Sequence, residues 1–202
     1  MSMPNRDGSR YHGGEMNSTK IILHLCADIG SDSQPYRDAG YDVRCIGKDI
    51  GVENYHPPEN VYGIIANPPC TMFSLARTRA KTKRDFREGM FCVQHCLRII
   101  WEARYINPLK FWIIENPRGF MRQFLGIPTF TYQQWEYGDT SIKPTDIWGY
   151  FKTPSKKIRI KPDGLSEKFP NGSTNAKGWS KSAYKRSIAP AGFAKAFFAV
   201  NQ

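Results

Sequence analysis

Residues 61–70, VYGIIANPPC, decide how the chain is read. Six uncharged residues run into Asn67-Pro68-Pro69 and then a thiol, the pattern of a short buried strand entering a stiff turn. Working outward, residues 21–27 (IILHLCA) form a second such run, followed by the turn DIGSDS and by QPYRDAGY, a short helix ending at Gly40. Residues 41–46 (YDVRCI), closed by Gly47, read as a strand. From about Lys83 to Tyr105, Met90, Val93, Leu97, Ile100 and Trp101 recur at helical spacing and predict the longest helix. Residues 110–114 (KFWII) form another buried strand, turning at Glu115-Asn116-Pro117. Strands alternating with helices predict an α/β fold with a mostly parallel sheet.

Beyond Gly126 the texture changes. The runs YQQWEYG, DIWGYF and KKIRI, separated by Pro and Gly, predict antiparallel strands or hairpins. Residues 161–187 are polar and basic, a long surface excursion. A closing helix over about 189–201 is expected to pack Phe193, Phe197 and Val200. Residues 1–18 lack apolar periodicity and read as a disordered leader, which leaves 19–202 as a single domain.

The 202 residues are 40% hydrophobic, enough for a real core, and carry 29 Lys and Arg against 18 Asp and Glu, a net charge of +11. That balance suits a polyanionic partner; mere solubility is the plainer reading. No apolar run reaches the roughly 18 residues that cross a bilayer, which excludes membrane insertion. Five cysteines, at 26, 45, 70, 92 and 96, lack C-x-x-C spacing and point to a reducing cytoplasm. No obligate protein partner is evident.

Ligands of open α/β sheets bind beyond the carboxyl ends of the parallel strands, so the loops there hold the candidates. The first is 26–31 (CADIGS), where Gly30 lets backbone approach a ligand or simply makes a turn. In the second, two prolines stiffen the backbone before Cys70; this suits a nucleophile held at attack distance, while an inert buried thiol is the alternative. The third, Glu115-Asn116-Pro117-Arg118-Gly119, ends an apolar strand with a carboxylate, a costly placement unless Glu115 is functional or paired with Arg118. Residues 77–84 (RTRAKTKR) either grip phosphates or form a solvated helix entrance. The Lys-rich stretch 152–185, with Trp179 and Tyr184, offers charge and stacking surfaces. Cys92 and Cys96 lie one helical turn apart, but no second ligand pair stands nearby, so packing explains them and no metal is expected.

Taken in order, these loops resemble the cytosine C5 DNA methyltransferases, especially the short bacteriophage members, over about Ile21 to Gly149 and again from Arg186. Pro68-Pro69-Cys70 followed by Phe73-Ser74 matches the family's nucleophile loop, and Glu115-Asn116-Pro117 its Glu-Asn motif. Tyr137-Gly138, Lys143-Pro144-Thr145 and Trp148-Gly149 are similar to the later motif of the phage group, and Pro190 to Val200 to the closing helix. The resemblance implies a Rossmann-like class I methyltransferase sheet in which Cys70 adds to C6 of an unstacked cytosine and Glu115 bonds ring N3. Arg118 and Lys143 are candidate supports for the base or its phosphate.

The resemblance further implies S-adenosylmethionine as cofactor, held by Cys26, Ala27, Asp28, Ile29 and Gly30, with Asp49 on the ribose and Asn67 and Pro68 walling donor from base. Pro69, Ser74, Arg77, Arg79 and Lys143 are the implied substrate contacts, and DNA in a bacterial or phage-infected cell the implied partner. In the first motif Cys26 stands where the family has Phe, Asp28 replaces the first Gly, and Gly30 remains. The recognition segment, about 150–187, is shorter than in restriction-associated members. These departures keep two alternatives open: the same chemistry on single-stranded nucleic acid or a free nucleotide, and a catalytically silent nucleic-acid-binding protein.

Overall fold

The computed structural model of the chain describes residues 17–27, 30–75, 77, 80–139, 142–163 and 191–202. The leader up to residue 16 and most of the basic excursion, including Trp179 and Tyr184, lie outside the described residues, as do Asp28, Ile29 and Arg79.

Six strands form one sheet. They are β1 (Ile21–Leu25), β2 (Asp42–Ile46), β3 (Val61–Ala66), β4 (Phe111–Pro117), β5 (Phe130–Gln133) and β6 (Pro144–Tyr150), arranged β2-β1-β3-β4-β6-β5. Pairing is parallel from β2 through β4, while β6 runs antiparallel to both β4 and β5. Every residue of β1 is buried, as a central strand covered on both faces requires. Its side chains alternate between two cores: Ile21, Leu23 and Leu25 join one, Ile22 the other.

The helices are α1 (Gln34–Asp38), α2 (Phe86–Ile106), α3 (Arg122–Leu125) and α4 (Ala191–Asn201). On one face α2 buries Val93, Cys96, Ile99, Ile100 and Ala103 against the sheet. On the other, Phe193 and Phe197 of α4 pack with Tyr36, Phe111 and Tyr132. The Tyr132 and Phe193 rings stack with centroids 4.0 Å apart.

Several details depart from the expectation. The long helix begins at Phe86, where the Asp85 carboxylate caps the amides of Arg87 and Glu88 at 2.8 and 3.1 Å, so Lys83 and Arg84 precede it. Trp101 is 58% exposed. The buried face follows Cys96, Ile99, Ile100 and Ala103, and Trp101 points outward with Arg104 over its ring. YQQWEYG divides: β5 ends at Gln133, and Gln134–Tyr137 is a 3-10 helix. KKIRI is not a strand. The amides of Lys157 and Ile158 both donate to the single carbonyl of Glu136, which no ladder does, and Lys156 pairs with the Glu136 carboxylate at 2.8 Å.

Among the described residues no helix is long and apolar enough to cross a membrane.

Candidate functional site

β1 has β2 on one side and β3 on the other, so the chain changes direction across the sheet between β1 and β3. A crevice opens at such a point beyond the carboxyl ends of the strands. Asn67, just past β3, joins the loop after β1 to Glu115 near the end of β4 there, and the charge of Lys143, ahead of β6, reaches the same point.

The Asn67 amide nitrogen donates to Asp32 Oδ2 at 2.9 Å and to Glu115 Oε2 at 3.1 Å. Its oxygen lies 2.7 Å from His24 Nε2. With both amide hydrogens facing carboxylates, the oxygen must accept, and Nε2 carries the imidazole proton. Nδ1 lies 2.9 Å from Ser33 Oγ, whose one proton is shared between this nitrogen and the Gly30 carbonyl at 3.0 Å. Burial lowers the His24 pKa to about 4, which keeps this buried ring neutral.

The two carboxyl groups respond to burial in the opposite sense. Burial raises Asp32 to about 6, against the Asn67 hydrogen bond and the charge of Lys143. Glu115 is also raised, first by burial and then by the Asp32 charge, with Lys143 opposing. Two neighbouring carboxyl groups with raised proton affinity can donate and accept protons, the capacity that acid-base chemistry uses.

The Cys70 loop is fastened on several sides. Its carbonyl accepts from the amides of Phe73 and Ser74 at 3.0 and 2.8 Å, closing the turn after Pro69. Asn116, buried one residue beyond Glu115, donates from Nδ2 to Pro68 O at 2.9 Å. Ser74 pairs with Gly119 as an antiparallel bridge, and the Phe120 amide donates to Phe73 O at 2.9 Å. The close approach needs glycine: a Cβ on Gly119 would lie 2.3 Å from Phe73 O. Arg84 donates to the carbonyls of Met72 and Ser74 and lies over the Phe120 ring at 4.7 Å.

A cavity of about 570 Å³ opens beside this loop, lined by Pro69, Thr71 and Met72 and by Asp85, Arg87, Glu88, Gly89, Phe91 and Cys92 around the start of α2. Its lining mixes apolar walls with the Glu88 carboxylate, the Arg87 guanidinium and an Asp85 carboxylate already engaged in capping the helix, a mixed surface that can take a ligand carrying both apolar and charged parts.

The other expected residues are placed as follows. Cys26 follows β1 with φ +56°, its Sγ 3.7 Å from that of Cys96, and Ala27 after it is buried. Gly30, buried, has φ +71°. Asp49 is exposed on the turn after β2, apart from the Asn67 network. Arg77 folds back onto its own segment, with Nη2 2.7 Å from Thr82 Oγ1 and Nη1 2.8 Å from Thr82 O. Arg118 turns away from Glu115: its Nε lies 3.9 Å from buried Asp146, whose main partner is Arg122, with two contacts of 2.6 Å. His95 of the C-x-x-H-C run packs its ring against Phe91.

Asp32, His24, Ser33 and Arg84 take parts that the loop motifs did not assign. The readable signal was His24: an imidazole inside IILHL must find a partner when buried.

No protein-family model matches the chain, and no curated protein matches it.

Proposed function

We propose that the protein is a methyltransferase that transfers a methyl group from S-adenosylmethionine to carbon 5 of cytosine in DNA. The observation that carries this reading is the lacing of the Cys70 loop to the end of β4: Asn116 Nδ2 on Pro68 O at 2.9 Å and the Ser74–Gly119 bridge hold the thiol loop and the Glu115 strand as one body. A nucleophile and an acid that act on one ring need such fixed mutual placement. The parallel β2-β1-β3-β4 order, with its crevice between β1 and β3, supports a Rossmann-like methyltransferase sheet.

In this reading the Cys70 thiolate forms a bond to C6 of the unstacked cytosine, and the displaced electron pair is drawn toward N3, which takes a proton from Glu115. Carbon 5 becomes nucleophilic. When bound, S-adenosylmethionine supplies the electrophilic methyl group. Solvent water then takes the C5 proton, and the electron pair left behind restores the C5–C6 double bond, breaks the C6–sulfur bond and releases the Cys70 thiolate, while the N3 proton goes back to Glu115. The cofactor would be held by the β1 loop from Cys26 to Gly30, the Asn67-Pro68 corner and the cavity beside Pro69, with Asp49 as the proposed ribose ligand. Lys143, whose charge reaches both carboxyls, supports the base or its phosphate, and the net charge of +11 favours a nucleic acid. A thiolate nucleophile suits a reducing compartment, and we place the protein in the cytoplasm of a bacterial or phage-infected cell.

The test is incubation with tritiated S-adenosylmethionine and duplex DNA, single-stranded DNA or free cytidine nucleotides, for wild type and Cys70→Ser. Label in 5-methylcytosine that disappears in Cys70→Ser is the expected result, and the substrate that accepts it names the class. Cofactor binding without label on any substrate, or no cofactor binding, overturns the reading.

A further inference from the structure

Asp32 lies in the loop after β1 and Glu115 within β4, yet each bonds to one hydrogen of the same Asn67 NH2 group, at 2.9 and 3.1 Å. The amide cannot turn over to separate them, because its oxygen is engaged by His24 Nε2 at 2.7 Å, and His24 is itself buried against Ser33. Two acceptors on one nitrogen are held within a few ångströms, in a half-buried crevice where like charges repel strongly.

We propose that Asp32 is a positioning residue for Glu115, its negative charge across the shared Asn67 amide keeping a proton on the Glu115 carboxyl for the ring nitrogen of the bound base. This inference rests on the methyltransferase reading and deepens it, since N3 of cytosine must receive a hydrogen bond from a protonated acid. The groups facing Glu115 are Asp32 from the β1 loop, Lys143 ahead of β6, Asp146 within β6 and Tyr132 within β5, with neutral His24 behind Asn67. Burial favours the proton on Glu115 most, Lys143 and the Asn67 hydrogen bond oppose it, and of the two carboxylates that add to burial Asp146 is already paired to Arg122, which leaves Asp32, on the same amide, as the charge that favours the proton. Such a pair gives up its two protons in separate steps, the second delayed by the first. Asp32 itself touches no reacting atom and sets the protonation of the group that does.

The test uses the full chain with carboxyl-13C glutamate, the Glu115 resonance being assigned by its loss in Glu115→Gln. In Asp32→Asn, which keeps an amide oxygen facing Asn67, the Glu115 titration midpoint should fall toward the ordinary carboxylate range. In Asp32→Glu, which keeps the charge, it should stay near that of wild type. In the labelling assay the alkaline limb of turnover for Asp32→Asn should move to lower pH, with the rate at acidic pH retained. An unchanged or higher Glu115 midpoint in Asp32→Asn overturns the inference, as does a uniform fall in rate with no movement of the limb. If Asp32→Asn does not fold, Asp32→Ser takes its place with the same expected fall. Wild type that transfers no label removes the cytosine reading alone, and the Glu115 midpoint still decides whether Asp32 holds its proton.

Discussion

Asn67 is one amide with three partners, and its neighbours respond to pH in opposite directions. His24 is lowered from 6.5 to about 4, so between those values the unfolded chain takes up a proton that the folded chain refuses, and stability rises with pH. Asp32 is raised from 3.8 to about 6, so the folded chain keeps a proton that the unfolded chain has released, and stability falls as pH rises through that window. In wild type the two slopes oppose each other. Asp32→Asn removes the second, and its urea midpoint should climb more steeply than that of wild type from pH 4 to 6.5; parallel curves would contradict the assignment. At this scale the sequence was half readable. A histidine among apolar residues announces a buried partner, but that partner lies 43 positions away and only the sheet brings it near. Asp32 carried no mark at all, because a carboxylate in a Gly- and Ser-containing turn is ordinary until its neighbour proves to be another carboxylate.

Among the elements, the loops are better fastened than their composition suggests. A methyl group on Gly119 cannot fit against Phe73 O at 2.3 Å, so Gly119→Ala must part the Cys70 loop from the end of β4. We expect a loss of about 1–3 kcal/mol in urea unfolding and a larger loss of turnover than of cofactor affinity. Arg84→Met, which keeps an apolar stem over Phe120 but leaves the carbonyls of Met72 and Ser74 without their guanidinium, should lower turnover by about 10- to 100-fold in the labelling assay. It should leave the melting of α2 nearly unchanged, since that helix starts from its own Asp85 cap. The strand-and-turn rhythm from Ile21 to Pro117 was legible because buried central strands are uninterrupted apolar runs. KKIRI misled for a related reason: alternation marks a strand only where a neighbouring edge is available, and here two amides had already converged on Glu136. The basic run 77–84 gave its charge away freely but concealed its work, since Arg77 and Arg84 spend their donors on the loop's own oxygens.

The molecule as a whole is a sheet with two unequal covers. The long α2 closes one face, whereas the other depends on α4, supplied by the last residues of the chain. Phe197, 2% exposed among Phe111, Phe151 and Phe193, is central to that second core. Phe197→Ala should cost about 3–5 kcal/mol, measured by denaturant unfolding. The apolar periodicity of this helix was visible in the sequence, but its place was not, because periodicity says that a face is buried and never against what.

At the far side, the Asn201 side chain takes both backbone groups of Lys152: Oδ1 accepts from its amide at 2.8 Å, and Nδ2 donates to its carbonyl at 2.9 Å. That clasp fastens the chain just past β6 to the end of α4, so the intervening sequence departs from and returns to points already held together. The entropy of closing such an excursion grows only with the logarithm of its length, about 0.6 kcal/mol for each doubling. Between Lys152 and Asn201, then, a change in the length of the chain should cost the folded sheet little, because the two ends of the excursion stay clasped whatever lies between them.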